Sequence, residues 1–260
     1  MIQGYAVHFL WADFFANSTE FPRQKPVCFY ILSYNNSVEI NERNDGMQNE
    51  FYLNYKEQIK QSEAELLADV YRTLPAQTNG EKKLIEHVVS RIKSYESSVD
   101  KLKRAGYAPT EENAVNVLSD VIGIRLIAHF IGDIYTIRNI IANSGKFEIV
   151  KEKDYVMNPK PSGYRGYHII VMTQYNNFPI KAEIQIRTVA MDCWASLEHQ
   201  IRYKKGIKNT DIITSELKRC SNDLMSADIA MEQIWTMVQN QEQETENWDM
   251  FEIPNTREEA

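Results

Sequence analysis

The chain has 260 residues, 43% hydrophobic and 25% charged, enough for one full core with appendages. A formal charge of −7 argues against broad, unspecific coating of nucleic acid, though it leaves room for a local basic cleft. Cys28, Cys193 and Cys220 are dispersed and form no CxxC pair, which suits a reducing compartment, and no apolar run approaches the ~18 residues of a membrane span.

The opening MIQGYAVHFLWADFFANS lacks a basic segment and holds Asp13 in its apolar part. No signal peptide is expected, and the location expected is cytoplasmic. Residues 1–46 are aromatic-rich, with a strand candidate at 27–34 and no recognisable chemistry. Residues 47–74 predict an amphipathic helix with Tyr52, Tyr55, Ile59, Leu66, Val70 and Leu74 near one face, ended by Pro75 and QTNG. A second helix is predicted over residues 81–104, burying Leu84, Ile85, Val88, Ile92, Tyr95, Val99 and Leu102. Lys93, Ser97 and Lys101 then stack opposite, with Arg91 at the rim. Taken alone, such a stripe is an ordinary solvated face.

Residues 106–113 read as a loop, followed by the apolar strand VLSDVIGIRLIAHF, entered through Asp120. A helix is predicted at 133–143 and a short strand at 147–151. A hairpin at 167–175 and 180–188 turns around NNFP. Its second arm alternates Ile180, Ala182, Ile184 and Ile186 with Lys181, Glu183, Gln185 and Arg187, the period of a half-buried strand. That polar row fits a solvated sheet face and a phosphate–metal site equally well. Residues 190–203 read as a helix. Residues 206–238 form a C-terminal helical segment in which Leu217, Cys220, Leu224, Ala227, Met231, Ile234 and Val238 keep heptad spacing. Such a seam docks on another helix, in the same chain or across a subunit boundary. Residues 239–260 are acidic and polar, and a loose tail is expected there.

Five separated motifs carry a resemblance: SRIKSYESS, SDVIGIR, KDYVMNPKPSGYRGYH, AEIQIRT and MDCWASLEH. In this order they resemble the small alarmone synthetases, stand-alone relatives of the RelA/SpoT synthetase domain, over about residues 47–205. The resemblance implies an α/β (α+β) fold of nucleotidyltransferase-like type, a mixed β-sheet flanked by helices. It implies a GTP pyrophosphokinase that moves the β,γ-pyrophosphate of ATP to the 3′-hydroxyl of GDP or GTP. The products are the alarmones ppGpp or pppGpp of the stringent response, and AMP. No segment matches a hydrolase domain, so synthesis alone is expected.

By the same resemblance, Arg91, Lys93, Ser97, Lys101 and Arg125 bind ATP, the two arginines against adenine. Asp120 and Glu183 are the catalytic carboxylates and hold Mg²⁺, and Glu183 activates the 3′-hydroxyl. Lys151, Lys153, Ser162, Tyr164 and His168 form the acceptor site, with Asp154 in the same charged segment and Tyr164 stacked on guanine. Without the resemblance, Tyr164 reads as a turn residue and His168 as a core histidine. Gln185, Arg187, Glu198 and His199 support the site. The family's tetramers make a homo-oligomer the expected assembly, with no membrane partner and no indicated RNA partner. Ser162, Gly166 and Lys151 stand where many relatives carry Asn, Ser and Arg, which leaves the acceptor base open. Adenine nucleotides or tRNA 3′ ends are the alternative acceptors. A non-catalytic nucleotide- or RNA-binding module on the same fold is a further alternative, against which the retention of Asp120 and Glu183 counts.

Overall fold

The computed structural model describes residues 51–74, 83–203 and 210–249. The strand candidate at 27–34 and the break after Leu74 lie outside them. Helix α1 (Lys56–Thr73) buries Ile59, Leu66 and Val70, the apolar face expected of it. Strand β1 (Ile85–Ile92) and helix α2 (Tyr95–Arg104) then replace the single helix expected over residues 81–104. The spacing of Ile85, Val88 and Ile92 is compatible with either structure over so short a run. Four β-branched side chains (Ile85, Val88, Val89, Ile92) and an available partner strand decide for the sheet. Ser94 starts α2 by accepting a hydrogen bond from the Ser97 backbone N–H.

Helix α3 (Glu111–Val117), capped by Thr110, takes up part of the segment expected to be a loop. Strand β2 (Ile122–Ala128) leads to helix α4 (Ile131–Asn143) and strand β3 (Glu148–Asp154). Strands β4 (Tyr167–Tyr175) and β5 (Phe178–Thr188) form the expected hairpin. Its turn is Asn176–Asn177 alone, both at positive φ, as a tight two-residue connection requires. Pro179 therefore lies inside β5, where β2 has not yet begun to pair.

The strands form one mixed sheet in the order β1-β2-β5-β4-β3, with β2 and β5 parallel and the other neighbours antiparallel. Ile122, Ile124 and Leu126 of β2, Ile169 and Val171 of β4, and Ile180, Ala182, Ile184 and Ile186 of β5 are buried together. They share that core with α1 and with Ile134, Ile137 and Ile141 of α4. One sheet face is thus sealed by helices, and period-2 alternation leaves the other for polar side chains.

Helix α5 (Val189–Tyr203) follows β5, and helix α6 (Thr210–Asp249) docks on it. Leu217 O accepts from Trp194 Nε1 at 2.8 Å, Ser221 Oγ donates to Gly163 O at 2.5 Å, and Asp228 accepts from Thr188 Oγ1 at 2.6 Å. Glu232 accepts from the Gly132 backbone N–H at 2.8 Å. Gly163 is indispensable here: its φ is +95°, and a Cβ would lie 3.0 Å from Lys218 Cα. The heptad seam divides. Leu217 and Leu224 are half-buried, with Leu224 beside Met191 and Trp194, whereas Cys220, Ala227, Met231, Ile234 and Val238 are exposed. Helix α6 also continues 11 residues past Val238, into the segment expected to be loose. No helix among the described residues is long and apolar enough to cross a membrane.

Candidate active site

Strand register assembles the candidate residues. Gly123 pairs with Arg91 on one side and Glu183 on the other, and Arg125 pairs with Gln185. His168 pairs with Gln185 and with Lys153, and Lys151 with Ile170, the partner of Glu183. Paired residues point the same way, so Arg91, Arg125, Glu183, Gln185, Arg187, His168, Lys151 and Lys153 share the sheet face that α1 and α4 leave free. A Cβ at Gly123 would lie 3.7 Å from Cγ and Nε of Arg91, so the Arg91 side chain crosses the sheet over the glycine.

At the entrance to β2, Asp120 Oδ2 accepts from Lys93 Nζ at 3.0 Å and Lys101 Nζ at 2.8 Å. Lys93 is not on α2. It lies in the turn before that helix, where its N–H bonds to Val121 O at 2.8 Å. The stacked stripe expected of Lys93, Ser97 and Lys101 is therefore replaced by convergence of two ammonium groups on one carboxylate. Ser97 stays exposed at the helix start, its Oγ 3.0 Å from Ser94 Oγ. Burial alone would raise the Asp120 carboxyl, but Lys93 and Lys101 overcome it and hold the group below its ordinary value. Asp120 Oδ1 is buried and makes no hydrogen bond.

A second cluster closes into a ring. His168 Nδ1 lies 2.9 Å from Glu183 Oε1, and His168 Nε2 lies 2.6 Å from the Tyr164 hydroxyl. Arg187 donates to that hydroxyl from Nε at 3.2 Å and Nη2 at 3.0 Å, and from Nη2 to Gln185 Oε1 at 2.7 Å. Gln185 Nε2 completes the ring by donating to Glu183 Oε2 at 2.5 Å. Burial lowers the His168 pKa, so the imidazole is neutral at pH 7. The Tyr164 oxygen already accepts from Arg187, so its hydrogen goes to Nε2, and the imidazole proton sits on Nδ1 facing Glu183. Burial opposes the Glu183 charge, yet the His168 and Gln185 donors and nearby Lys101 hold the carboxyl well below the usual range. The same Lys101 that binds Asp120 thus acts on Glu183, which joins the two clusters.

Lys160 and Asp192 are absent from the sequence expectations. Lys160 Nζ lies 4.6 Å from the Tyr164 ring centroid and 4.7 Å from that of Tyr155. Its signal was a lysine four residues before Tyr164, in the same turn. Asp192 Oδ1 meets Arg187 Nη1 at 2.9 Å and Arg125 Nη1 at 3.2 Å. Burial works against the Arg125 charge, Asp192 supports it, and Arg187 and Arg91 oppose it.

Four expected residues stand apart. Ser162 Oγ accepts from the Tyr164 backbone N–H at 3.4 Å, a local turn contact. Glu198 and His199 lie nearly two turns along α5 from Asp192, half-buried and exposed. Asp154 holds the chain reversal after β3, accepting from the Val156 and Met157 N–H groups at 2.9 and 3.0 Å.

Among the described residues no group of three or more His, Cys, Asp or Glu side chains could enclose a metal. A magnesium ion fits without one, since it takes one or two carboxylates and completes its shell with phosphate and water. The unpartnered Asp120 Oδ1 has the required chemistry. Glu183 keeps spare lone pairs beside its two accepted bonds.

Fold and site together define a nucleotidyltransferase-like protein with a charged, open sheet face. Residues 90–208 match the family model described as a region found in RelA/SpoT proteins. The GTP pyrophosphokinase YwaC of Bacillus subtilis is 45% identical over 141 residues, which are 53% of this chain and 67% of the relative. Small alarmone synthetase 2 of B. subtilis superposes with a TM-score of 0.61 at 37% identity, covering 71% of this chain and 99% of that one. Small alarmone synthetase 1 of the same organism, bound to its product pppGpp, gives 0.60 at 27% identity, covering 73% and 96%. The chain belongs to the RelA/SpoT family, among its small alarmone synthetases.

Proposed function

We propose that the protein is a (p)ppGpp synthetase, moving the β,γ-pyrophosphate of ATP to the 3′-hydroxyl of GDP or GTP. The observation that carries this reading is the pairing of two clusters on one sheet face: Lys93 and Lys101 on Asp120, and the Glu183–His168–Tyr164–Arg187–Gln185 ring. ATP occupies the first, with adenine between Arg91 and Arg125 and its phosphates exchanging with Asp120 for the two ammonium groups. The acceptor occupies the second, its base on Tyr164 in place of Lys160, whose freed ammonium is then available to the acceptor phosphates with Lys151 and Lys153.

Asp120, with Glu183, would hold magnesium, which offsets the triphosphate charge when bound. The 3′-oxygen forms a bond to the β-phosphorus, the bridge to the α-phosphate breaks, and AMP leaves. Glu183 aligns the 3′-hydroxyl by accepting its hydrogen bond. It takes the proton as the O–P bond forms and makes the hydroxyl acidic. Lys93 and Lys101 stabilise charge on the transferring group. Incubation with γ-labelled ATP and each of GDP, GTP, GMP, ADP and tRNA tests the reading. Label in guanosine 3′-pyrophosphates supports it, and label in ADP or tRNA products alone overturns it.

Tyr164→Ala is expected to raise the acceptor KM about tenfold or more with the ATP KM little changed, because base stacking is worth roughly 1–3 kcal/mol. Equal effects on both substrates would remove Tyr164 from the acceptor site.

The same reading takes residues 47–205 as the synthetase domain in a cytoplasmic enzyme, and the exposed half of the α6 seam as the contact between copies in a tetramer. Met231 and Ile234 are 58% and 53% exposed, an arrangement that favours burial against another chain. Met231→Asp and Ile234→Asp are expected to give a folded, smaller particle in light scattering. A wild-type monomer would dismiss the assembly. Leu224 does not serve this test, because it is half-buried against the chain's own α5.

A further inference from the structure

We propose that Asp192 is a positioning residue that couples the two nucleotide pockets, so that filling either one tightens the other. The inference rests on the pocket assignments just made and adds the link between them. Asp192 stands in the first turn of α5, immediately after β5, and a single oxygen, Oδ1, receives Arg125 Nη1 at 3.2 Å and Arg187 Nη1 at 2.9 Å. Arg125 belongs to the ATP side. Arg187 belongs to the acceptor side, where its remaining nitrogens fix the Tyr164 hydroxyl and the Gln185 amide.

Arg125 depends on the carboxylate more than Arg187 does, since Arg187 is also held by Tyr164 and Gln185. Arg125 Nε is buried and makes no hydrogen bond. Arg187 and Arg125 lie close enough to repel one another, and Asp192 is the anion that offsets both charges. The side chains of Asp192 and Arg187 are 16% and 9% exposed, so water screens that pair weakly, while Arg125 is 33% exposed and screened more.

Adenine stacked on Arg125 fixes the plane of that guanidinium and, through the shared oxygen, the position of Asp192. Asp192 then holds Arg187, which orders Tyr164 before the acceptor arrives. The second nucleotide meets a pocket whose ordering cost is already met, which is positive cooperativity without any large movement. Reciprocity follows, because the acceptor must tighten ATP by the same factor.

The test is calorimetric binding of an ATP analogue with an α,β-methylene bridge, which blocks transfer, with and without saturating GDP. Wild-type protein is expected to bind each ligand about fivefold or more tightly in the presence of the other. Asp192→Asn keeps the size of the side chain and removes its charge, and it is expected to bring that factor close to one. Asp192→Glu is expected to restore part of it, which a purely structural defect would not do. Should Asp192→Asn fail to fold, judged by circular dichroism, Asp192→Ser takes its place in the same assay. Arg125→Ala and Tyr164→Ala test the pockets separately, by weakening the analogue alone and GDP alone. If those two behave so, a wild-type factor near one, or a factor that survives in Asp192→Asn, overturns the coupling. If they do not, the pocket assignment falls and the coupling with it.

Discussion

Glu183→Gln is expected to lower turnover by about 10²–10⁴-fold, the range for a lost proton acceptor, with ATP affinity within a few-fold of wild type. The amide has the shape of the carboxylate but not its charge, and it disturbs the ring in either orientation. With Oε1 kept toward His168, the new NH₂ faces the NH₂ of Gln185. If Gln185 turns to relieve that clash, its own NH₂ meets Arg187 Nη2, which now donates to Gln185 Oε1 at 2.7 Å. The lysine pair on Asp120 is untouched, so the ATP side should survive. Single-turnover transfer and analogue binding, measured on the same folded preparation, separate the two effects. Near-normal transfer would end the assignment of Glu183.

Leu102→Ala is expected to destabilise the protein by about 2–5 kcal/mol, the usual cost of truncating a buried leucine. Leu102 is 0% exposed, on the buried face of α2 with Ser98 and Val99. Its neighbour Lys101 reaches Asp120 from the same helix, so loosening α2 should also weaken the ATP side. Lys93→Ala supplies the contrast. It removes one of two ammonium groups from Asp120 and leaves the core intact, so ATP affinity should fall while stability changes less. Denaturant titration of both variants ranks them. A larger stability loss in Lys93→Ala than in Leu102→Ala would invert the division between core and site.

Much of the sheet could be read directly. The alternation at 180–188, the paired asparagines of the hairpin and the apolar run after Asp120 each have one dominant physical explanation, and each is a strand or turn in the structure. Residues 85–92 do not. Their spacing suits a helix and a strand alike, and the deciding factor is a partner strand 30 or more residues further on. The same limit governs the site. Asp120, Glu183 and Arg125 were legible as types in motifs, but the common face of Glu183 and Arg125 depends on the parallel β2–β5 register, which no local pattern encodes. Asp192 escaped for that reason, since Arg125 is brought to it by folding, whereas Lys160 had a local signal in its spacing from Tyr164. Lys93 shows the converse: its expected helix was wrong, and its proximity to Lys101 was right, because both reach Asp120.

The contact between Gly163 and α6 changes what counts as the smallest useful piece of this protein. The motifs end near residue 205, and a protein engineer would cut there. Yet the loop that presents Tyr164 leans on Lys218 and hangs by its Gly163 carbonyl from Ser221, both beyond that cut. A fragment trimmed to its motifs would keep the motif side chains and lose the buttress behind Tyr164. Helix α6 supports the loop that carries Tyr164 on its inner side, so grafts, fusions and swaps between relatives should carry it along with the sheet.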